Sequence, residues 1–72
     1  MKKINKVKIT INGKKRLINP KMTLKSLLYN SRIPLNKVAI ELNQTIIDKK
    51  RINKIFLKAK DKIEIVHFIG GG

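Results

Sequence analysis

Cysteine is absent from this chain, which removes disulfides, thiolate metal sites and a cysteine nucleophile together. The single histidine, His67, cannot make a metal site alone, because such sites need several ligands; it is read as a position on a strand face. Four carboxylates are present, Glu41, Asp48, Asp61 and Glu64. Only Asp61 and Glu64 are near neighbours in sequence, so turn and surface roles are expected of the four rather than paired acid–base work in a cleft. Ser26 and Ser31 have no base beside them, and no glycine-rich phosphate loop occurs. Apolar runs fall far short of the roughly 20 residues that cross a bilayer. Behind the basic opening Met1-Lys2-Lys3-Ile4-Asn5-Lys6 there is neither an apolar stretch nor a small-residue cleavage site, so neither a secretory signal nor a membrane partner is expected.

What is present is positive charge and regular apolar spacing. Lysine and arginine number 18 against four acids, a net charge of +14, and such a balance invites a nucleic-acid reading. Lysine, isoleucine and asparagine are abundant together, however, and all three have A- and T-rich codons. Compositional drift of the coding DNA, common in organelles and endosymbionts, accounts for the neutral residues along with the charged ones. The lysines are also spread from Lys2 to Lys62, as a solvated surface would have them. At 72 residues the chain is expected to form one domain, burying only about 60% of its unfolded surface.

Val7-Lys8-Ile9-Thr10-Ile11 alternates with period two, as a strand with one buried face does. Asn12-Gly13 suits the two positive φ values of a type I′ turn, so Lys14 to Asn19 should return antiparallel, with Leu17 facing inward. After Asn19-Pro20, Thr23 is placed to cap a helix whose Leu24, Leu27 and Leu28 share a face; Ile33-Pro34 should end it. Val38-Ala39-Ile40-Glu41-Leu42 alternates again, and Asn43-Gln44 reads as a turn into a short Thr45-Ile46-Ile47 strand. Between Asp48 and Lys60 a connector folds back through Ile52, Ile55, Phe56 and Leu57 to cover the core edge. A last strand runs from about Lys62 to Phe68. The helix between the hairpin and the later strands permits parallel pairing of the first and last strands, giving an α+β fold: a mixed sheet of four to five strands with one main helix across one face.

After these eliminations one group could carry chemistry, the terminal carboxylate of Gly72, at the end of the run Gly70-Gly71-Gly72. A carboxylate donates an acyl group only once activated, and no residue of this chain could activate it. Glycines lack a Cβ, so such a tail can thread a narrow channel. If Ile63 and Ile65 face the helix, Val66 and Phe68 lie on the opposite, open face beside the tail.

The closing run Asp61-Lys62-Ile63-Glu64-Ile65-Val66-His67-Phe68-Ile69-Gly70-Gly71-Gly72, with Val38-Ala39-Ile40-Glu41-Leu42-Asn43 upstream and an opening strand ending in Asn12-Gly13, resembles the ThiS family of sulfur carrier proteins of thiamin biosynthesis. The resemblance spans essentially the whole chain. It departs at Gln44, where the family often has glycine after the turn asparagine, and at Lys60, where glycine often precedes the aspartate. It implies a ubiquitin-like β-grasp fold over residues 1–72, with 69–72 as a flexible tail. It also implies that the chain is not an enzyme but a co-substrate binding no cofactor of its own. An E1-like adenylating enzyme would join the Gly72 carboxylate to AMP using ATP and magnesium. Sulfur from a persulfide donor would then leave a thiocarboxylate for thiazole synthase, with Val66, Phe68 and Ile69 as the partner-binding shoulder. The cytoplasm is the expected location, or the plastid stroma if the gene is organellar. The small sulfur-carrying subunit of molybdopterin synthase shares the fold and glycine end and stays open as an alternative. A module of another class would bind RNA through Lys14, Lys15, Arg16, Lys49, Lys50 and Arg51. Tyr29, Phe56 and Phe68 are the only aromatics and form no strand-borne stacking pair, so specific nucleic-acid binding is not expected.

Overall fold

In the computed structural model residues 5–68 are described; Ile69, Gly70, Gly71 and Gly72 lie outside them. The strands are β1 (Val7–Ile11), β2 (Lys14–Ile18), β3 (Val38–Leu42), β4 (Thr45–Ile46) and β5 (Lys62–His67), with one α-helix, α1 (Leu24–Asn30). They form a mixed sheet in the order β2-β1-β5-β3-β4. β1 and β5 are parallel, and the other neighbours are antiparallel. This is the ubiquitin-like β-grasp arrangement, with the last strand at the centre.

Two tight turns set the registers. Asn12 and Gly13 have φ of 49° and 82°, and Asn43 and Gln44 have 51° and 71°, the paired positive values of a type I′ hairpin. The first turn places Ile11 opposite Lys14 and therefore Val7 opposite Ile18 and Lys8 opposite Leu17. Ile18 shares the buried face with Ile9, and Leu17 is 60% exposed. The expected inward Leu17 is thus corrected to Ile18, because side chains directly across a ladder share a face.

Thr23 caps α1 as expected, its Oγ1 accepting the Ser26 N–H at 3.1 Å. Leu24, Leu27 and Leu28 are buried against the sheet with Ile9, Val38, Ile40, Ile63 and Ile65. Burial of each such side chain contributes about 1.5–3 kcal/mol, and a seven-residue helix depends on that packing. The helix ends earlier than the Ile33-Pro34 signal suggests. Arg32 adopts φ 57°, the Ile33 N–H reaches the Leu28 carbonyl at 3.1 Å, and the Arg32 N–H reaches that of Tyr29 at 3.0 Å. These are the two bonds of a Schellman cap, with arginine where glycine is usual.

The connector is a 3₁₀ turn over Lys49–Lys54, capped by Asp48, whose Oδ1 accepts the Lys50 N–H. Ile52 and Leu57 are buried, but Phe56 is 63% exposed and does not cover the core. Residues 55–57 run extended beside the start of α1: Leu24 N–H bonds to Ile55 O and Leu57 N–H to Met22 O, both at 2.8 Å. Side chains alternate along such a stretch, so Phe56 turns outward between two inward neighbours.

Asp61 is also corrected. A turn or surface role was expected; Asp61 does serve turns, but it is 3% exposed and not on the surface. Its Oδ1 accepts Asn43 Nδ2 at 3.0 Å and its Oδ2 accepts the Lys58 N–H at 2.8 Å. Asn43 Oδ1 in turn accepts the Lys62 N–H at 2.8 Å, so the second hairpin turn is tied to the start of β5. Asn12 acts further along: its Oδ1 accepts the Ile65 N–H at 2.7 Å and its Nδ2 donates to Ile65 O at 3.3 Å. One side-chain amide thereby continues the β1–β5 ladder past the point where β1 has turned away.

Replacing Asn12 with glycine keeps the positive φ and removes that clamp. A loss of about 1–3 kcal/mol is expected in urea unfolding, from two lost hydrogen bonds and added chain entropy. Gln44→Gly and Lys60→Gly act in the opposite direction. Both residues sit at φ 71°, where a side chain costs about 1–2 kcal/mol, while glycine returns roughly 0.5–1 kcal/mol as unfolded-state entropy. Each substitution should raise stability by about 0.5–1 kcal/mol in the same assay.

Candidate functional site: the outer face of β3 and β5

β5 presents two different sides. Ile63 and Ile65 are 0% and 8% exposed under α1, whereas Val66 and Phe68 are 54% and 53% exposed. The alternation expected of the closing strand is therefore present, with Val66 on the open face and Phe68 just beyond the strand's last residue, His67, which is itself exposed. The Phe68 N–H still donates to Lys37 O at 2.9 Å, so main-chain pairing continues through Phe68. Its ring lies under the Lys49 ammonium, 5.4 Å from the centroid, within cation–π range.

Across the sheet the registers complete this face. Ala39 of β3 is opposite Val66, and Glu41 is opposite both Glu64 of β5 and Ile46 of β4. Ile46 is 74% exposed. The open face thus carries an apolar group of Ala39, Ile46, Val66 and Phe68 around two glutamates. Ala39 and Glu41 were legible from the alternation of β3, and Ile46 follows once the Asn43-Gln44 turn fixes its partner. The Lys49–Phe68 contact had no sequence signal, since it joins the start of the 3₁₀ turn to the end of β5.

Among the described residues no group of three histidine, cysteine or carboxylate side chains could hold a metal ion, and no helix is long and apolar enough to cross a membrane. Surface hollows occur beside Tyr29, Asn30, Arg32 and Ile33 and along Ile11, Asn12 and Lys14 to Arg16. Neither lining includes a carboxylate, histidine or serine that could act on a substrate. Of the basic residues weighed for RNA, Lys14, Lys15 and Arg16 lie on β2 at one edge of the sheet, and Lys49, Lys50 and Arg51 follow β4 at the other. Gly70, Gly71 and Gly72, and with them Ile69, fall outside the described residues.

The profile of the ThiS family matches residues 3–72. The chain belongs to the ThiS family. It is 42% identical over 50 residues to the sulfur carrier protein ThiS of Bacillus subtilis, covering 69% of this chain and 76% of that one. The crystal structure of the thiamine biosynthesis protein ThiS from Geobacter metallireducens superposes with a TM-score of 0.80 at 25% identity, over 92% of this chain and all of that one. The thiazole synthase of Paramagnetospirillum magneticum is 39% identical over 66 residues, which are 92% of this chain. The chain spans one fifth (20%) of the length of that protein and of the thiazole synthase of Magnetococcus marinus. The ThiS match covers the strand, the turns and the glycines on which the resemblance was built, and the two glycine departures, Gln44 and Lys60, are both at positive φ.

Because Val66 and Phe68 are half exposed, they contribute little to folding. Val66→Ser and Phe68→Ser should each shift the thermal midpoint by less than about 4 °C, as expected of surface positions. Ile65→Ser on the opposite side of the same strand should unfold the protein, as followed by circular dichroism.

Proposed function

We propose that this ThiS-family chain is the sulfur carrier for thiazole formation and that its reacting group is the Gly72 carboxylate. The family match running through Gly72, behind a strand hydrogen-bonded on both edges, carries this reading. An E1-like enzyme, with ATP and magnesium, forms an acyl adenylate and releases pyrophosphate. The terminal sulfur of a persulfide donor attacks the acyl carbon and AMP leaves. A thiol then cleaves the acyl disulfide, leaving a thiocarboxylate on Gly72 whose sulfur thiazole synthase takes. The similarity to a fifth of two thiazole synthases supports that enzyme as the receiver over a molybdopterin pathway. Splitting one difficult transfer into activated steps is the benefit of the covalent route. This chain supplies no catalytic group and acts as co-substrate, in the cytoplasm or, if plastid-encoded, in the stroma.

The exposure of Val66 and Phe68 supports these two residues as the shoulder on which a partner rests, and Ile69, next in sequence, completes it in this reading. Phe68 makes the last described main-chain bond of β5, and the four residues beyond it, Ile69 to Gly72, reach at most about 14 Å when extended. An activating centre must come that close to Phe68, so its surface has to meet the end of β5.

Incubation with the adenylating enzyme of the same genome, ATP, magnesium and a persulfide donor should exchange one oxygen of Gly72 for sulfur, read by intact mass and fragment localisation. Deleting Gly72, or adding residues after it, should abolish the exchange and leave circular dichroism unchanged. No exchange with an enzyme that charges another carrier would refute the reading.

A further inference from the structure

Of the seven asparagines in the chain only Asn12 precedes a glycine. That pair is chemically reactive, because a glycine nitrogen has no adjoining side chain to obstruct its attack on the asparagine carboxamide. Gly13 is exposed, with open space where a Cβ would sit. Among the described residues its N–H makes no main-chain hydrogen bond, so the nucleophile is free. The electrophile is not. The Asn12 carboxamide lies on Ile65, accepting its N–H at 2.7 Å and donating to its carbonyl at 3.3 Å. The group that would react is therefore the group that holds β5.

We infer that Asn12 is a self-modification site, at which loss of its side-chain amide to solvent releases β5 from β1. When the clamp opens, solvent base takes the Gly13 N–H proton and the nitrogen bonds to Asn12 Cγ. The Cγ–Nδ2 bond breaks, Nδ2 takes up a proton and leaves as ammonia, and a cyclic imide remains. Water then adds to either imide carbonyl. Opening at Cγ gives aspartate; opening at the main-chain carbonyl gives isoaspartate, whose chain runs on through Cβ and Cγ. Neither product can hold Ile65 as before. An ionised aspartate has only acceptors, so one oxygen opposes the Ile65 carbonyl. Isoaspartate lengthens the turn by one main-chain atom, against the register that sets Ile11 opposite Lys14. The main chain of this turn bonds to β5 from Asn12 N–H to Ile63 O at 2.9 Å, and the carboxamide continues that hold to Ile65. Its loss loosens the strand that leads to Val66 and Phe68. The second turn is an internal comparison. Asn43 and Gln44 have the same paired positive φ, and the Asn43 carboxamide is held in the same manner, by Asp61 and the Lys62 N–H. There the following nitrogen belongs to a residue with a side chain, and the reaction is obstructed.

The test keeps the whole chain at physiological temperature and mildly alkaline pH, beside a synthetic peptide of residues 9–16 as the unclamped reference. Amide loss is located by fragment mass, and isoaspartate is told from aspartate by its backbone fragments. Loss is expected at Asn12 and not at Asn43, rising with pH, with isoaspartate among the products. It should be at least about fivefold slower than in the peptide, the protection given by two ordinary hydrogen bonds. Gln44→Gly, expected above to raise stability, should make Asn43 a second site. The isoaspartate product, separated from the parent by charge, should exchange the Ile65 N–H at least about fivefold faster in deuterated water. Retention of the Asn12 amide while the peptide converts fully would overturn the proposal, as would a rate equal to the peptide's or unchanged Ile65 protection in the product. Loss at Asn43 of the parent as fast as at Asn12, or none there in the glycine variant, would show that the following glycine does not make the site and would overturn it equally. Sulfur loading enters none of these readouts, so the proposal stands or falls apart from the carrier reading.

Discussion

Hydrogen bonding on both edges of β5 is the constraint from which the other features follow. A strand paired on one side to β1 and on the other to β3 cannot rotate or slip without breaking two ladders. The side chains reinforce it where the main chain runs out. Asn12 takes over from β1 at Ile65, Asn43 and Asp61 fasten the start, and the Lys37 carbonyl holds Phe68. Because side chains alternate, fixing this one register buries Ile63 and Ile65 and presents Glu64 and Val66. Packing of the core and presentation of the open face are thus two consequences of the same pairing.

Much of this was legible in the residues, for identifiable reasons. The hairpin, the capped helix and the alternation of β3 and β5 are local patterns, each enforced by a physical rule acting over a few positions. Leu17 was misread although the rule was at hand. A two-residue turn at Asn12-Gly13 pairs positions whose numbers sum to 25, as Ile11 with Lys14 does, and this puts Ile18 with Val7 and turns Leu17 outward. The burial of Asp61 and the outward turn of Phe56 were not legible in the same way. Each depends on a segment distant in sequence: the Asn43 turn for the first, the start of α1 for the second. For the site, Val66 and Phe68 could be placed on the open face from period two alone, whereas Lys49 reached Phe68 through tertiary folding.

The positive-φ positions show how composition and fold conflict. Lys21, Arg32, Gln44 and Lys60 all occupy the left-handed region without being glycine or asparagine. Glycine codons are G-rich, and a coding sequence drifting toward A and T loses glycine where lysine or glutamine can be tolerated. Each such replacement is a small local cost carried by global packing, and the Schellman cap closes around Arg32 regardless. Lysine, arginine and glutamine thus stand at turns whose geometry favours glycine.

The four carboxylates differ in what holds them. On a chain with 18 cations, a solvated glutamate with no bond to keep is replaceable at almost no cost in stability. Asp48 and Asp61 have hydrogen bonds that account for their presence. Glu41 and Glu64 do not, and their opposition across the ladder should favour the loss of at least one. Local rules are broken in proteins mainly at sites with a function to serve. Here the broken rule lies on the open face, beside exposed Ile46 and Val66 and near the start of the most firmly held strand. On stability alone, threonine or lysine at either position would relieve the opposition of like charges across the ladder.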